Sequence, residues 1–218
     1  MYDFLVNIAE LSDFLPLIFL FRFNYSKYDK IFIRLIDFVI LKLVMLIISL
    51  LVINLDYWST TLNCFFQNSY SILYFLIVST IYKEMINNFD KRLIDFGNIL
   101  FFSALIINFI AFDFRYVFMN YLVSAINVIF VVYGIVFFIS SKNGILSHRF
   151  KKYFWLNIAF LIYNACMFPA MFFEHLLIGE IWTSISEILW SIVLVSGLLL
   201  NIFLSIFILE FKFVSENK

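Results

Sequence analysis

Seven apolar runs divide the chain, at residues 4–21, 31–55, 62–82, 93–112, 116–139, 153–173 and 181–211. Each approaches or exceeds the roughly 20 residues that an α-helix needs to cross the hydrocarbon of a bilayer. Strands of a membrane β-barrel would be shorter, about 10 residues, with apolar and polar positions alternating. These runs show neither property. The pattern predicts an all-α integral membrane protein, a single seven-transmembrane-helix bundle over residues 1–218. Gln67, Asn68 and Ser69 interrupt the third run near its start. All connections are short, with no Gly-rich loop, low-complexity linker or separate soluble domain.

Composition strengthens this picture. Hydrophobic residues make up 64% of the chain and charged residues 14%, against about a quarter charged in a soluble domain. With a mean hydropathy of +1.01, the excess apolar surface needs lipid. The net charge is zero, and there is no basic patch of the kind that binds nucleic acid. Met1, Tyr2 and Asp3 lack the positive stretch that opens a cleavable signal peptide. Cys64 and Cys166 lie in different runs and read as ordinary buried thiols.

Lysine and arginine set the orientation, because they concentrate in cytoplasmic connections. Arg22, Lys27, Lys30 and Arg34 surround the first connection. Lys83, Lys91 and Arg92 mark the third, and Lys142, Arg149, Lys151 and Lys152 the fifth. Lys212 and Lys218 lie in the tail. These are thirteen of the fifteen basic residues, all on one side of a seven-span chain. Arg115 stands alone on the other side, and Lys42 lies inside a span. An even number of spans would split the tail from the rest. The expected topology is therefore N-terminus outside and C-terminus inside. Trp58 and Trp182 at outer boundaries and Trp155 at an inner one agree with aromatic anchoring.

Ionisable groups inside the spans cost at least a few kcal/mol each and need an explanation. Glu10 and Asp13 lie in the first span, Asp37 and Lys42 in the second, Glu187 in the seventh. Asp37 sits one turn after Arg34, an ordinary interfacial pair. Asp13 and Lys42 both lie near mid-span in neighbouring helices, which predicts an intramembrane ion pair. Such a pair serves packing in one reading and a proton or ion relay, or a switch, in the other.

Polar residues also recur at helical spacing. Asn120, Ser124 and Asn127 share a face of the fifth span. Asn157 and Asn164 recur in the sixth. Thr183, Glu187, Ser191, Gly197, Asn201 and Ser205 form a stripe in the seventh. Small and amide side chains at such spacing glue membrane helices together. The sharper reading is a polar cavity in the outer half of the bundle, with Glu10, Asn120, Asn164, Glu187 and Trp190 as ligand-binding residues. Two carboxylates would favour a cationic or hydrogen-bonding ligand, with Trp190 as a cation–π face.

Absent chemistry narrows the classes further. No HExxH, GxSxG or P-loop pattern occurs, and His148 and His175 fall on opposite sides of the predicted membrane. Neither catalysis, nor a metal, nor another cofactor is expected. The last span holds no lysine, which excludes a retinal protein. Only five Gly and two Pro, Pro16 and Pro169, are present. That scarcity predicts unbroken helices and counts against a transporter built on interrupted ones, as does the lack of an internal repeat.

The segments Ile8-Ala9-Glu10-Leu11-Ser12-Asp13-Phe14-Leu15-Pro16 and Lys151-Lys152-Tyr153-Phe154-Trp155-Leu156-Asn157 resemble small seven-helix membrane proteins of Bacteroidota. In layout, those are similar to the seven-helix sensor modules of histidine kinases. The resemblance implies a sensor or accessory protein of a bacterial cytoplasmic membrane, and it transfers no functional residue. The sequence carries no kinase domain, so signalling would pass to a separate signalling or effector protein. The alternatives are a channel or transporter for a small solute or ion, and a membrane-acting accessory of a defence system. Besides the bilayer, further copies of the chain are an open partner.

The topology has a direct test. In a background lacking Cys64 and Cys166, Asn63→Cys and Leu177→Cys should react with an impermeant thiol reagent added to intact cells. Ser147→Cys should react only after permeabilisation, and its labelling in intact cells would contradict seven spans.

Overall fold

The computed structural model describes residues 2–20, 30–54, 60–86, 91–111, 120–141, 147–173 and 183–216. They form helices α1 (Tyr2–Ser12), α2 (Phe14–Leu20), α3 (Lys30–Asn54), α4 (Thr60–Met85), α5 (Lys91–Ala111), α6 (Asn120–Ser141), α7 (Ser147–Phe173) and α8 (Thr183–Glu216). Helix is the natural state of such runs, because backbone groups in lipid must bond within their own segment. Trp58, Trp182, Arg115 and His175 lie outside the described residues.

Two expectations need correction. The first apolar run is not one helix, since α1 ends at Ser12 and α2 starts at Phe14. The cause is Pro16. It has no N–H to donate, and its ring clashes with the carbonyl four residues back, that of Ser12. The Asp13 amide instead donates to the Glu10 carbonyl at 3.2 Å, and the Ser12 hydroxyl caps the Ala9 carbonyl at 2.6 Å. A single proline therefore breaks the segment despite the scarcity of Gly and Pro. By contrast, α7 continues through Pro169. The second correction concerns Gln67, Asn68 and Ser69, which mark no boundary. Helix α4 runs through them, and Asn68 is buried.

The helices alternate in direction. Phe32 at the start of α3 stacks on Phe211 near the end of α8. Ser79 and Lys83 of α4 bond Asn98 and Asp95 of α5, so the later residue on one meets the earlier on the other. Asn157 of α7 donates to the Gly134 carbonyl of α6 at 3.2 Å. The most extensive packing joins α6 to α7 and α7 to α8, while α1 and α2 lean on α8 and α3 on α4. Gly134 permits the α6–α7 approach, for a Cβ there would meet Leu161 Cδ1 at 3.0 Å.

One half of the interior is filled with rings. Phe38, Phe75, Tyr82, Phe130 and Phe160 are fully buried. Phe38 meets Phe160 edge-on at 5.3 Å, and Phe75 stacks on Phe130 at 5.4 Å and on Phe101 at 3.7 Å. Fully burying one such side chain contributes about 1.5–3 kcal/mol in water. In lipid the gain comes from tight packing and matched ring geometry instead.

The exterior is as apolar as the interior. Ile40, Val44, Ile47 and Leu51 line the outside of α3, and Ile99, Ile106, Ile107 and Ile110 that of α5. A soluble monomer does not expose patches of this extent. Among the described residues, five helices, α4 to α8, are long and apolar enough to cross a membrane. Helix α3 has the length too, but carries Lys30, Arg34, Asp37 and Lys42. The protein is suited to a lipid bilayer.

Besides its contacts with α4, the peripheral α5 approaches α6 closely at one glycine. Gly97 faces the Tyr133 hydroxyl, which donates to the Ile94 carbonyl at 2.9 Å. A methyl at position 97 would collide with that oxygen. Gly97→Ala should therefore destabilise the bundle by about 1–3 kcal/mol, read as a lowered melting temperature in detergent micelles. Adding Tyr133→Phe should recover part of the loss. A Gly97→Ala protein melting with the wild type would refute the contact.

Candidate functional site

The break between α1 and α2 places Asp13 where it can reach two other helices. Lys42 of α3 donates from Nζ to Asp13 Oδ1 at 2.6 Å and to Asn201 Oδ1 of α8 at 2.9 Å. Asn201 Nδ2 returns to the same Asp13 oxygen at 2.6 Å and to Ser12 Oγ at 2.8 Å. Only one orientation of the Asn201 amide works here, because the reverse would turn its NH2 against the ammonium. Ser205 Oγ, one turn on, donates to the Asn201 carbonyl at 2.7 Å. Three segments distant in sequence are thus joined by charge-assisted bonds, which are about twice as strong as neutral ones.

This junction borders a cleft of about 520 Å³, a volume typical of small-molecule sites. Every rod of the bundle except α5 contributes to its wall. Glu10 and Asp13 come from the first rod; Lys42, Met45 and Ser49 from α3; Gln67, Tyr70 and Tyr74 from α4. Asn127 comes from α6, Tyr163, Met167 and Met171 from α7, and Trp190 from α8. The residues on α3 and α7 run from the middle of each helix to its later part, beginning with Lys42 at the midpoint of α3. Those on α4, α6 and α8 lie in the earlier halves except Tyr74, just past the middle of α4. With alternating directions, all lie toward one end of the bundle. Tyr74 forms the boundary with the filled half, touching Phe38 at 5.8 Å and Phe130 at 5.5 Å.

Of the five sequence-predicted ligand-binding residues, Glu10 and Trp190 line the cleft. Glu187, Asn120 and Asn164 do not. Glu187 is exposed on the outside of α8. At 3.6 residues per turn, three residues leave Glu187 and Trp190 roughly 60° apart, and Trp190 takes the inward position. Asn164 is fully buried behind the wall, accepting from the Tyr74 hydroxyl at 3.0 Å and donating to the Phe160 carbonyl at 2.6 Å. It fixes Tyr74 rather than facing the cleft. Asn120 is buried on α6, and its carbonyl accepts from Ser124 at 2.8 Å. The sixth-span amides and Asn201 serve as the polar glue expected of such stripes.

Sequence reasoning missed the three tyrosines, the methionines, Gln67 and the bridging role of Asn201. Spacing held a signal for several of them. Tyr163, Met167 and Met171 fall at intervals of four along α7, and Gln67, Tyr70 and Tyr74 at three and four along α4, the spacing of one helix face. Among the described residues, no group of three or more His, Cys, Asp or Glu side chains could hold a metal ion. Neither a protein-family model, nor a curated protein, nor a solved structure matches the chain.

Asp13 and Lys42 are about one-sixth exposed, so each depends on the other for compensation. Asp13→Asn or Lys42→Met alone should cost up to about 3–5 kcal/mol, the range for stranding one member of a buried pair. The double variant should cost clearly less than the sum, read from chemical or thermal unfolding in micelles. Additive effects would mean that the two are not coupled.

Proposed function

We propose that this chain is a non-enzymatic ligand sensor of a bacterial cytoplasmic membrane, a seven-span bundle with its N-terminus outside and C-terminus in the cytoplasm. The cleft takes up a small molecule from the outer side, and the helices report its presence to a separate cytoplasmic partner. The observation that carries this reading is the one-ended interior. The cleft with its charged junction fills one half, and packed aromatic rings close the other.

Helices α7 and α8 supply the route to the opposite end. Both line the cleft, through Tyr163, Met167, Met171 and Trp190. Toward the other end they are clamped together, where Trp155 Nε1 donates to Glu210 Oε1 at 2.9 Å and its ring stacks on Phe203 at 5.5 Å. A change in their spacing at the cleft is transmitted along two packed helices to that clamp. The thirteen basic residues on one predicted side favour a clamp at the cytoplasmic face.

A channel or transporter is the second reading, favoured by three ionisable groups, Glu10, Asp13 and Lys42, inside the bundle. It requires a path through the rings around Phe38, Phe130 and Phe160. Proteoliposomes separate the two. Ser49→Cys, in a background lacking Cys64 and Cys166, should react with a small impermeant methanethiosulfonate added outside and not with reagent trapped within. Filling the cleft in this way should shift the emission of Trp155 as sole tryptophan, without proton or potassium flux. Labelling from within, or flux abolished by the label, would establish a conduit. A labelled cleft with unchanged Trp155 emission would remove the sensor.

A further inference from the structure

Resting on the reading of the cleft as a ligand site, we infer that its ligand is an organic monocation: a substituted ammonium group on an apolar body, with a hydrogen-bond acceptor nearby. The charge balance comes first. The cleft contains two carboxylates, Glu10 and Asp13, and one ammonium, Lys42. Lys42 is committed to Asp13 at 2.6 Å. None of the ion pairs or side-chain hydrogen bonds among the described residues engages the Glu10 carboxylate. One carboxylate of the cleft is thus left without a partner among the described residues, and at close range it attracts a cation more strongly than it would in bulk water.

The wall suits an organic cation better than a metal ion. Tyr70 and Tyr74 stack with centroids 6.0 Å apart, and Tyr163 meets Tyr74 edge-on at 6.4 Å. With Trp190 they give the cleft four aromatic rings. Ring faces attract ammonium groups and replace water around them, and clusters of such rings recognise substituted ammonium. Met45, Met167 and Met171 add polarizable, adaptable surface for an apolar body. A bare inorganic ion would instead need several oxygen ligands around it. A volume of about 520 Å³ leaves room for more than a headgroup.

Asn127 supplies the third element. It lines the cleft, is only 2% exposed, and its Nδ2 has no acceptor among the described residues. A buried amide left so is destabilising, and an oxygen on the ligand would satisfy it. The ammonium thus faces Glu10 and the rings, and a hydroxyl, ether or carbonyl oxygen faces Asn127. A free amine and a lipid headgroup such as choline share this chemistry.

Two matched probes test the assignment. Benzyl(2-hydroxyethyl)dimethylammonium and its neutral carbon isostere, 3,3-dimethyl-4-phenylbutan-1-ol, differ only in charge. Binding to the full chain in nanodiscs is followed by emission of Trp190 as sole tryptophan. The cation should bind saturably and at least tenfold tighter than the alcohol. Glu10→Gln should erase most of that preference and Glu10→Asp should keep it. Tyr163→Leu, on another helix, should also weaken the cation. In phosphatidylglycerol discs the cation should bind. Weaker binding in phosphatidylcholine discs, relieved by Glu10→Gln, identifies a lipid headgroup as the source, and equal binding identifies a free cation. Equal binding of both probes, unchanged preference in Glu10→Gln, or no response to either probe overturns the ammonium assignment. The Ser49→Cys labelling above separates these results from failure of the cleft itself, which would show as an unreactive Ser49→Cys.

Discussion

The bundle is organised around one ion pair in an apolar setting. Asp13 and Lys42 stand 2.6 Å apart, and neither could be placed in this interior alone without a large penalty. Once paired, they dictate much else. Asp13 is available because Pro16 interrupts the first rod, which turns a mid-helix residue into a junction residue. Asn201 must lie opposite, with its carbonyl toward the ammonium and its NH2 toward the carboxylate. This holds the first rod against α8 and both against α3. Close to this point the bundle changes character, from packed rings on one side to an open cleft on the other.

That change follows from what the side chains can do. Phe38, Phe75, Phe130 and Phe160 fill space in offset and edge-on contacts that exclude water. Toward the other end the same helices carry Lys42, Gln67, Asn127 and Tyr163, whose polar groups line the cleft instead of packing ring on ring. Tyr74 belongs to both regions. Its ring packs with Phe38 and Phe130, and its hydroxyl reaches Asn164. The charged members of this interior, Glu10, Asp13 and Lys42, collect at the junction and cleft, while buried amides such as Asn157 and Asn164 pin helices elsewhere.

Much of this architecture was legible in the apolar runs, because helix length against bilayer thickness is a strong constraint. Asp13 and Lys42 were legible as partners for a similar reason, since two deep opposite charges on successive spans have few other options. The break at Asp13 was less legible. Pro16 lies near the start of the chain, where a proline can equally begin a helix, and overall scarcity of helix breakers hides the effect of one. Glu187 shows a different limit. A stripe read at approximate helical spacing drifts around the helix, so a carboxylate and a tryptophan three residues apart can part company at the wall of a cleft. Gln67, beside Asn68 and Ser69, looked like an interruption near the start of a span, because polarity signals either a boundary or a cavity. Only the neighbouring helices distinguish the two.

The aromatic half of the bundle also has an electrical consequence. A membrane potential falls mainly across low-dielectric material, and moving one charge through its full drop involves about 2.3 kcal/mol per 100 mV. On the proposed topology, a water-accessible cleft stays close to the potential of the outer solution, and the field concentrates across the rings around Phe38, Phe130 and Phe160. A charge arriving beside Glu10 would therefore cross little of the field. Occupancy of the cleft would track concentration outside the cell and be nearly indifferent to the membrane's energised state.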